Sequence, residues 1–359
     1  VDDATTLVMR PKMGYAGAKR EPSGSQEDTK RECLIMLLPP FDHQGRMLRG
    51  NLHGHCDHSD GVLSAQQVTA AYRRLGYDFT CLTDHLWSDS SYAATSVNDT
   101  RHLDSDDFIT IISAELHCPG KSIDSHGLWH IVANGLPLDF AMASESETGP
   151  QMVQRALDAG AFVTSAHPEW YSLTSDEAAS LAHAHAVEIY NHTSTIRAAR
   201  GSGVATADYL LNCGHRALLT ASDDSHFEVD DAGGGWVMVA ATLDQAEIVT
   251  ALKAGRYYSS SGATINAIEL DGELDGELDG ELDGELGGEL DGDRVTISCS
   301  PAHSVVISGA GHQARAEVGT NITKASFNLG NFKSDWFRVT IVGAAGCAWS
   351  NPYWLADYR

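Results

Sequence analysis

No stretch of this 359-residue chain approaches the ~18–20 consecutive apolar residues that a membrane-spanning helix needs, so none is expected. Paired cysteines are missing too. The seven cysteines (33, 56, 81, 118, 213, 299 and 347) are odd in number, scattered, and never spaced Cys-x-x-Cys. That argues against a disulfide framework and fits buried thiols in a reducing compartment, with the cytoplasm as the expected location. Basic residues are scarce: 24 Lys and Arg stand against 49 Asp and Glu, a formal net charge of −25. A broad nucleic-acid-binding surface needs a basic footprint, so that class is disfavoured. A secretory leader has little support, because the first apolar run, Cys33–Leu38, is short and lies late. The sequence begins at Val1, and a leader removed upstream is left open.

What the chain does have is histidine beside carboxylate. Asn51-Leu52-His53-Gly54-His55-Cys56-Asp57-His58-Ser59-Asp60-Gly61 holds three histidines and two aspartates in eleven residues. If Leu48–His55 is a strand, His53 and His55 share a face, because strand side chains alternate with period two. Two imidazoles so placed can grip one ion, and a carboxylate beyond the strand can turn towards a second. Zn, Mn and Fe all accept imidazole mixed with carboxylate. One His-x-His says little by itself; recurrence of the pattern gives it weight.

With 42% hydrophobic residues, the chain can build one large α/β domain and a smaller one. Residues 1–48 read as an extension, loosely held over 1–30, followed by a strand over Cys33–Leu38. Ser64 is placed to cap a helix whose Val68, Ala71, Tyr72 and Leu75 fall at i, i+3, i+4 and i+7, with Gly76 closing it. Strand-like runs then end repeatedly in polar clusters. Phe79–Leu82 leads to Thr83-Asp84-His85, Phe108–Ile112 to Glu115 and His117, and Ala161–Ser165 to His167-Pro168. Ala186–Ile189, carrying Glu188, leads to Asn191-His192, and Ala217–Thr220 to Asp223-Asp224-Ser225-His226. His130–Ala133 is a further short strand, and helical patterns around Met152–Leu157, Ala178–Ala182 and up to Leu252 alternate with these runs. Such alternation predicts a barrel of parallel strands over 49–262, with the site at their C-terminal ends, where distant histidines and acids would meet on one rim.

After Gly262 the texture changes to short strand-like runs between Gly, Asn and Asp turns, which predicts an antiparallel β-sandwich over 263–359. Within it, Glu269 to Asp293 is a near-perfect Glu-Leu-Asp-Gly array with twelve acids and no base, about half of the acidic excess. A glycine in every turn costs ~1 kcal/mol and opposes a helix. Without five of the units, Ile265–Gly272 would run directly into Asp293–Ile297, two strands joined at an Asp-Gly turn. The array therefore reads as an expansion within a hairpin tip.

The phrases His53-x-His55-x-x-x-Ser59-Asp60-Gly61, Thr83-Asp84-His85, Glu115, His167-Pro168 and Ser222-Asp223-Asp224-Ser225-His226 together resemble the PHP (polymerase and histidinol phosphatase) superfamily. The run Ala251-Leu252-Lys253-Ala254-Gly255-Arg256-Tyr257-Tyr258-Ser259-Ser260-Ser261-Gly262, with Trp349-Ser350-Asn351-Pro352, looks like its CehA/McbA branch, which includes carbamate and amide hydrolases. The resemblance implies a distorted (β/α)7 PHP barrel with two or three divalent ions, Zn, Mn or Fe. By that resemblance His53, His55, Glu115 and Asp224 hold the first ion, and Glu115 bridges to a second held by His130 and His167. Asp60, His85 and His226 hold a third. Asp223 competes with Asp224, and His126 with His130. Asp84 is expected to orient His85 or shuttle a proton, and His226 to join it in catalysis. Arg197 and Arg200 are the candidates to hold an anionic substrate. His58, His117, His192 and Glu188 lie near the rim but match no ligand position. The expected reaction is hydrolysis of a small, anionic molecule by a hydroxide formed on the metals, with phosphomonoesters or phosphodiesters as first choice. The alternative is a carbamate, amide or ester hydrolase of the carbaryl-hydrolase type; a non-catalytic binding module comes third. No membrane or nucleic-acid partner is expected, and no oligomeric state is read.

Overall fold

The computed structural model describes residues 34–88, 91–121, 127–272 and 294–358. The loosely held stretch expected over 1–30, His126 and most of the acidic array lie outside these residues. Among the described residues no helix is long and apolar enough to cross a membrane.

The first part of the chain alternates short strands with helices. In order it runs β1 (Leu34–Leu37), β2 (Leu48–Asn51), α1 (Ala65–Arg74), β3 (Phe79–Leu82), β4 (His85–Leu86), β5 (Ile109–Pro119), β6 (Leu128–Asn134), α2 (Gly149–Asp158) and β7 (Phe162–Ser165). It continues through α3 (Ser175–Ser180), β8 (Ala186–Asn191), α4 (His192–Ala198), α5 (Val204–Asn212), β9 (Leu218–Ser222), β10 (Trp236–Val239), α6 (Gln245–Lys253) and β11 (Tyr257–Ser260). Three helix starts are written locally. Ser64, Thr148 and Thr174 each accept from the backbone N–H three residues on, while Gln67, Gln151 and Glu177 reach back to the capping residue.

Strand pairing is parallel for β2–β3, β3–β5, β7–β8 and β8–β9. The expectation of parallel strands throughout is corrected at β6, which runs antiparallel to both β5 and β7. Because β6 is reversed, its beginning lies beside the end of β5, and His117 and His130 are register partners. On the other side β2 pairs antiparallel with β10, and β10 with β11. β9 approaches β11 through its edge, where Ser259 Oγ donates to the Leu219 carbonyl at 2.8 Å.

An apolar cluster of Leu52, Phe79, Ile111, Phe162, Val237 and Tyr257 fills the space beneath the strand ends. Phe79 is fully buried, worth about 1.5–3 kcal/mol relative to exposure. Its ring lies so close to β2 that a Cβ on Gly50 would stand 1.9 Å from Phe79 Cζ, so only glycine fits there.

The last part is antiparallel: β12 (Ile265–Gly272), β13 (Arg294–Gly309), β14 (Ala314–Asn328), β15 (Trp336–Gly343), β16 (Gly346–Ser350) and β17 (Tyr353–Trp354). Where the sequence suggested only short runs, β13 is one long strand whose register shifts between Ser298 and Ser304. Its first half pairs with β12 and its second with β15. β14 starts at Ala314, and its first half is largely exposed although Ala314, Ala316 and Val318 alternate with Arg315 and Glu317. The two parts are joined by β11–β16 pairing and by Asn351, whose side chain accepts from Leu219 N and donates to the Gly255 and Tyr257 carbonyls. β1 pairs with β12.

Asp271 and Arg294 are register partners, so the acidic array leaves and re-enters at the tip of the β12–β13 hairpin. Removal of residues 273–292 is therefore expected to leave the far-ultraviolet circular dichroism spectrum unchanged, since loop length alters closure entropy only slowly. A deletion variant that fails to fold would place the array inside the fold instead.

Candidate metal centre

Glu115 lies inside β5, fully buried, rather than beyond a strand end. Six imidazoles surround its carboxylate. Oε1 is 2.8 Å from His130 Nδ1 and 3.2 Å from His167 Nε2. Oε2 is 2.8 Å from His85 Nδ1, 3.5 Å from His53 Nε2, 3.6 Å from His55 Nε2 and 3.9 Å from His117 Nε2. Five elements or their immediate flanks supply these rings: β2, β4, β5, β6 and β7. His130 reaches the same rim only because β6 is reversed.

β2 ends at Asn51, so His53 and His55 follow the strand in an extended segment held by Gly54 N–H to Thr83 Oγ1 and His55 N–H to the Ser225 carbonyl. Both rings still turn to one oxygen, Asp224 Oδ1, at 3.2 and 3.0 Å. Asp224 sits just past β9 with φ 56°, a left-handed backbone that a non-glycine residue holds only when its surroundings impose it. Asn191 Nδ2 donates to its other oxygen at 3.1 Å. The neighbouring Asp223 faces away: its carboxylate accepts from the N–H groups of Gly233, Gly234 and Gly235 and from Tyr72 Oη. Of the two adjacent acids, only Asp224 reaches the cluster.

Asp60, His85 and His226 form the outer edge, with Asp60 Oδ1 3.4 Å from His226 Nε2 and Oδ2 3.5 Å from His85 Nε2. Asp84 does not hold His85. Its oxygens accept from Cys56 N, Cys56 Sγ, Ser59 Oγ and Asn98 Nδ2, fixing the turn that carries Asp60. Arg197 is exposed and paired with Glu228 at 2.7 Å, and Arg200 is exposed beyond the end of α4. Neither is among the residues gathered on these carboxylates.

Sequence reasoning left His117 and Glu188 unassigned, yet both belong to the assembly. Glu188 Oε1 is 3.1 Å from His53 Nδ1, and Oε2 accepts from His167 N and Asn191 Nδ2. His117 is two residues after Glu115 on one strand, so the period-two rule that joined His53 to His55 also places it on the Glu115 face.

The donor set fits divalent cations. His53 Nε2, His55 Nδ1 and Glu115 Oε2 are buried without hydrogen-bond partners. Leaving such atoms unpaired costs about 1–3 kcal/mol each, and lone pairs of this kind are what Zn, Mn or Fe accept. Ligand atoms within 4.8 Å of one another come from His53, His55 and Asp224; from His53, Glu115 and His167; from His55, Asp60, His85 and His226; and from His85, Glu115 and His117. Burial opposes charge on Glu115, but His85 and His53 hold it well below the usual carboxylate range. Burial, with His226 and His85 nearby, pushes His55 down to about 4, and burial beside His130 pushes His117 well down. Those two rings stay neutral at pH 7, the state that binds a cation, whereas for His53, His85, His167 and His226 the facing carboxylates outweigh burial and push the ring up, so a cation would displace a proton there. The assembly is thus a candidate multinuclear metal centre.

No protein-family profile and no curated protein matches the chain. In fold it is similar to a two-domain protein from Bacteroides vulgatus containing a predicted PHP-like metal-dependent phosphoesterase. The identity is 16% and the TM-score 0.44, over 92% of this chain and 99% of that one. It is also similar to a putative metal-dependent phosphoesterase from Bifidobacterium adolescentis, at 13% identity and TM-score 0.35, over 49% of this chain and 87% of that one. Likenesses this distant leave the residue roles to the geometry of this chain.

Proposed function

We propose that this chain is a metal-dependent phosphoesterase of the PHP superfamily, in a CehA/McbA-like branch, with a distorted (β/α)7 barrel over 49–262 and a β-sandwich over 263–359. The observation that supports it most is Glu115, a buried carboxylate whose two oxygens face different histidines. In this reading His53, His55, Glu115 and Asp224 hold one ion; Glu115, His130 and His167 a second; Asp60, His85 and His226 a third. Bound divalent cations would supply Lewis acidity, acidifying water and offsetting the negative charge of a phosphoryl group. The chain's own task is rigidity. Glu188 orients His53, Asn191 ties Asp224 to Glu188, Asp223 anchors the β9 end, and Asp84 anchors the Asp60 turn. A clustered cationic site suits a dianionic substrate, which favours phosphoesters.

A second reading, carbamate, amide or ester hydrolysis, is favoured by aromatic rings beside the centre. Trp170 lies 5.1 Å from His167 and 5.5 Å from His130, Tyr171 5.1 Å from His130, and Tyr92 5.5 Å from His85, which suits an apolar acyl group. The test is turnover of p-nitrophenyl phosphate and bis(p-nitrophenyl) phosphate against p-nitrophenyl acetate and a naphthyl carbamate, after loading with Mn, Zn or Fe. Phosphoester turnover is expected to exceed the others by about tenfold or more in kcat/KM. No phosphoester turnover with any of the three metals would overturn the first reading.

A further inference from the structure

His117 is fully buried at the end of β5, and the register that pairs Cys118 with Trp129 brings the Trp129 carbonyl to its ring. His117 Nδ1 lies 2.9 Å from that oxygen. A carbonyl only accepts, so His117 Nδ1 carries the proton and the neutral ring's Nε2 carries a lone pair. Nε2 in turn lies 2.8 Å from His85 Nδ1. Two lone pairs cannot face each other at that distance, so His85 Nδ1 bears a proton and donates it. The remaining His85 nitrogen, Nε2, is then the one left to a cation in the set formed with His55, Asp60 and His226. His226 is prepared in the same way: its Nδ1 lies 2.9 Å from the Asp224 carbonyl, leaving Nε2 to face Asp60.

His85 Nδ1 has a second neighbour, Glu115 Oε2, also at 2.8 Å, yet that oxygen has no hydrogen-bond partner. Which acceptor takes the His85 proton decides whether Glu115 Oε2 stays available. We propose that His117 is a positioning residue that accepts the His85 Nδ1 proton, fixing His85 to bind through Nε2 and keeping Glu115 Oε2 free for a cation. The inference rests on the metal-centre reading above. A ring that merely filled space would be replaceable by an apolar side chain of similar size; an acceptor would not.

The full-length chain, as wild type, His117→Gln and His117→Leu, is loaded with Zn²⁺ and dialysed. Bound ions are then counted by mass spectrometry and affinities measured by chelator competition. Glutamine places Oε1 where the ring has Nε2, so it preserves the acceptor. His117→Leu is expected to bind one ion roughly 10–100-fold more weakly, with the Gln variant within about threefold of wild type. Long-range ¹⁵N–¹H spectra of the histidine-labelled, Zn-loaded wild type should show His117 and His85 both protonated at Nδ1. A folded Leu variant with wild-type ion count and affinity overturns the proposal, as does a His117 proton on Nε2. If the Leu variant does not fold, the wild-type spectra decide. Wild type without stoichiometric metal would instead sink the metal-centre reading itself, a result separate from unaltered variants of a metal-bearing wild type.

Discussion

Glu115→Ala will lose hydrolysis by about 10³-fold or more in kcat/KM, together with bound metal. The size follows from what is removed. Cations placed at a reacting group contribute several kcal/mol of charge stabilisation, and each 1.36 kcal/mol is about tenfold in rate. Glu115 touches six imidazoles through two oxygens, so its loss leaves His130 and His167 without the acceptor they share and His85 without its nearest charge. Glu115→Gln separates charge from shape: it keeps the volume, removes the negative charge and halves the acceptor capacity, and is expected to fall nearly as far in activity. Both are measured as kcat/KM and as metal per chain. An alanine variant that keeps its ions and its rate would remove the foundation of the proposed function.

Asp223→Ala will instead strike stability, by about 3–5 kcal/mol in urea unfolding. Its carboxylate is fully buried and receives three successive glycine N–H groups at 2.7–2.8 Å and the Tyr72 hydroxyl at 2.9 Å. Stranding a buried donor costs about 1–3 kcal/mol, and charged acceptors lie at the upper end. Burial pushes this carboxyl up to about 6 against the pull of those donors, so it is ionised at neutral pH and carries the full charge-assisted set. Asp223→Asn keeps one acceptor oxygen and should lose less. A change below about 1 kcal/mol for the alanine variant would show that the glycine turn is held by other contacts. The adjacent acids thus part by readout: the Glu115 and Asp224 side of the site fails in metal and rate, and Asp223 fails in folding.

Much of the site was legible in the sequence because its signals are local. His53 and His55 are two residues apart, the helix caps are three, and polar residues cluster where apolar runs stop. What was not legible depends on direction and contact. Nothing in Leu128–Asn134 says that the strand is reversed, yet that reversal delivers His130. The choice between Asp223 and Asp224 is made by a left-handed backbone and by glycines ten residues further on. Asp84 looked like a partner for the next residue, whereas its acceptors are filled by Cys56, Ser59 and Asn98 from elsewhere in the chain. The first half of β14 is largely exposed, and its pairing with β13 is what holds it as a strand.

The register pairing of Asp271 with Arg294 has a genetic corollary. The unit repeated between them is four residues, a whole number of codons, so slippage during replication of the gene adds or drops units without breaking the reading frame. Each event falls in sequence between Asp271 and Arg294 and leaves the described partners of the ladder in register. A change of copy number here spares the ladder, while the same accident inside β5 would shear Glu115 from its histidines.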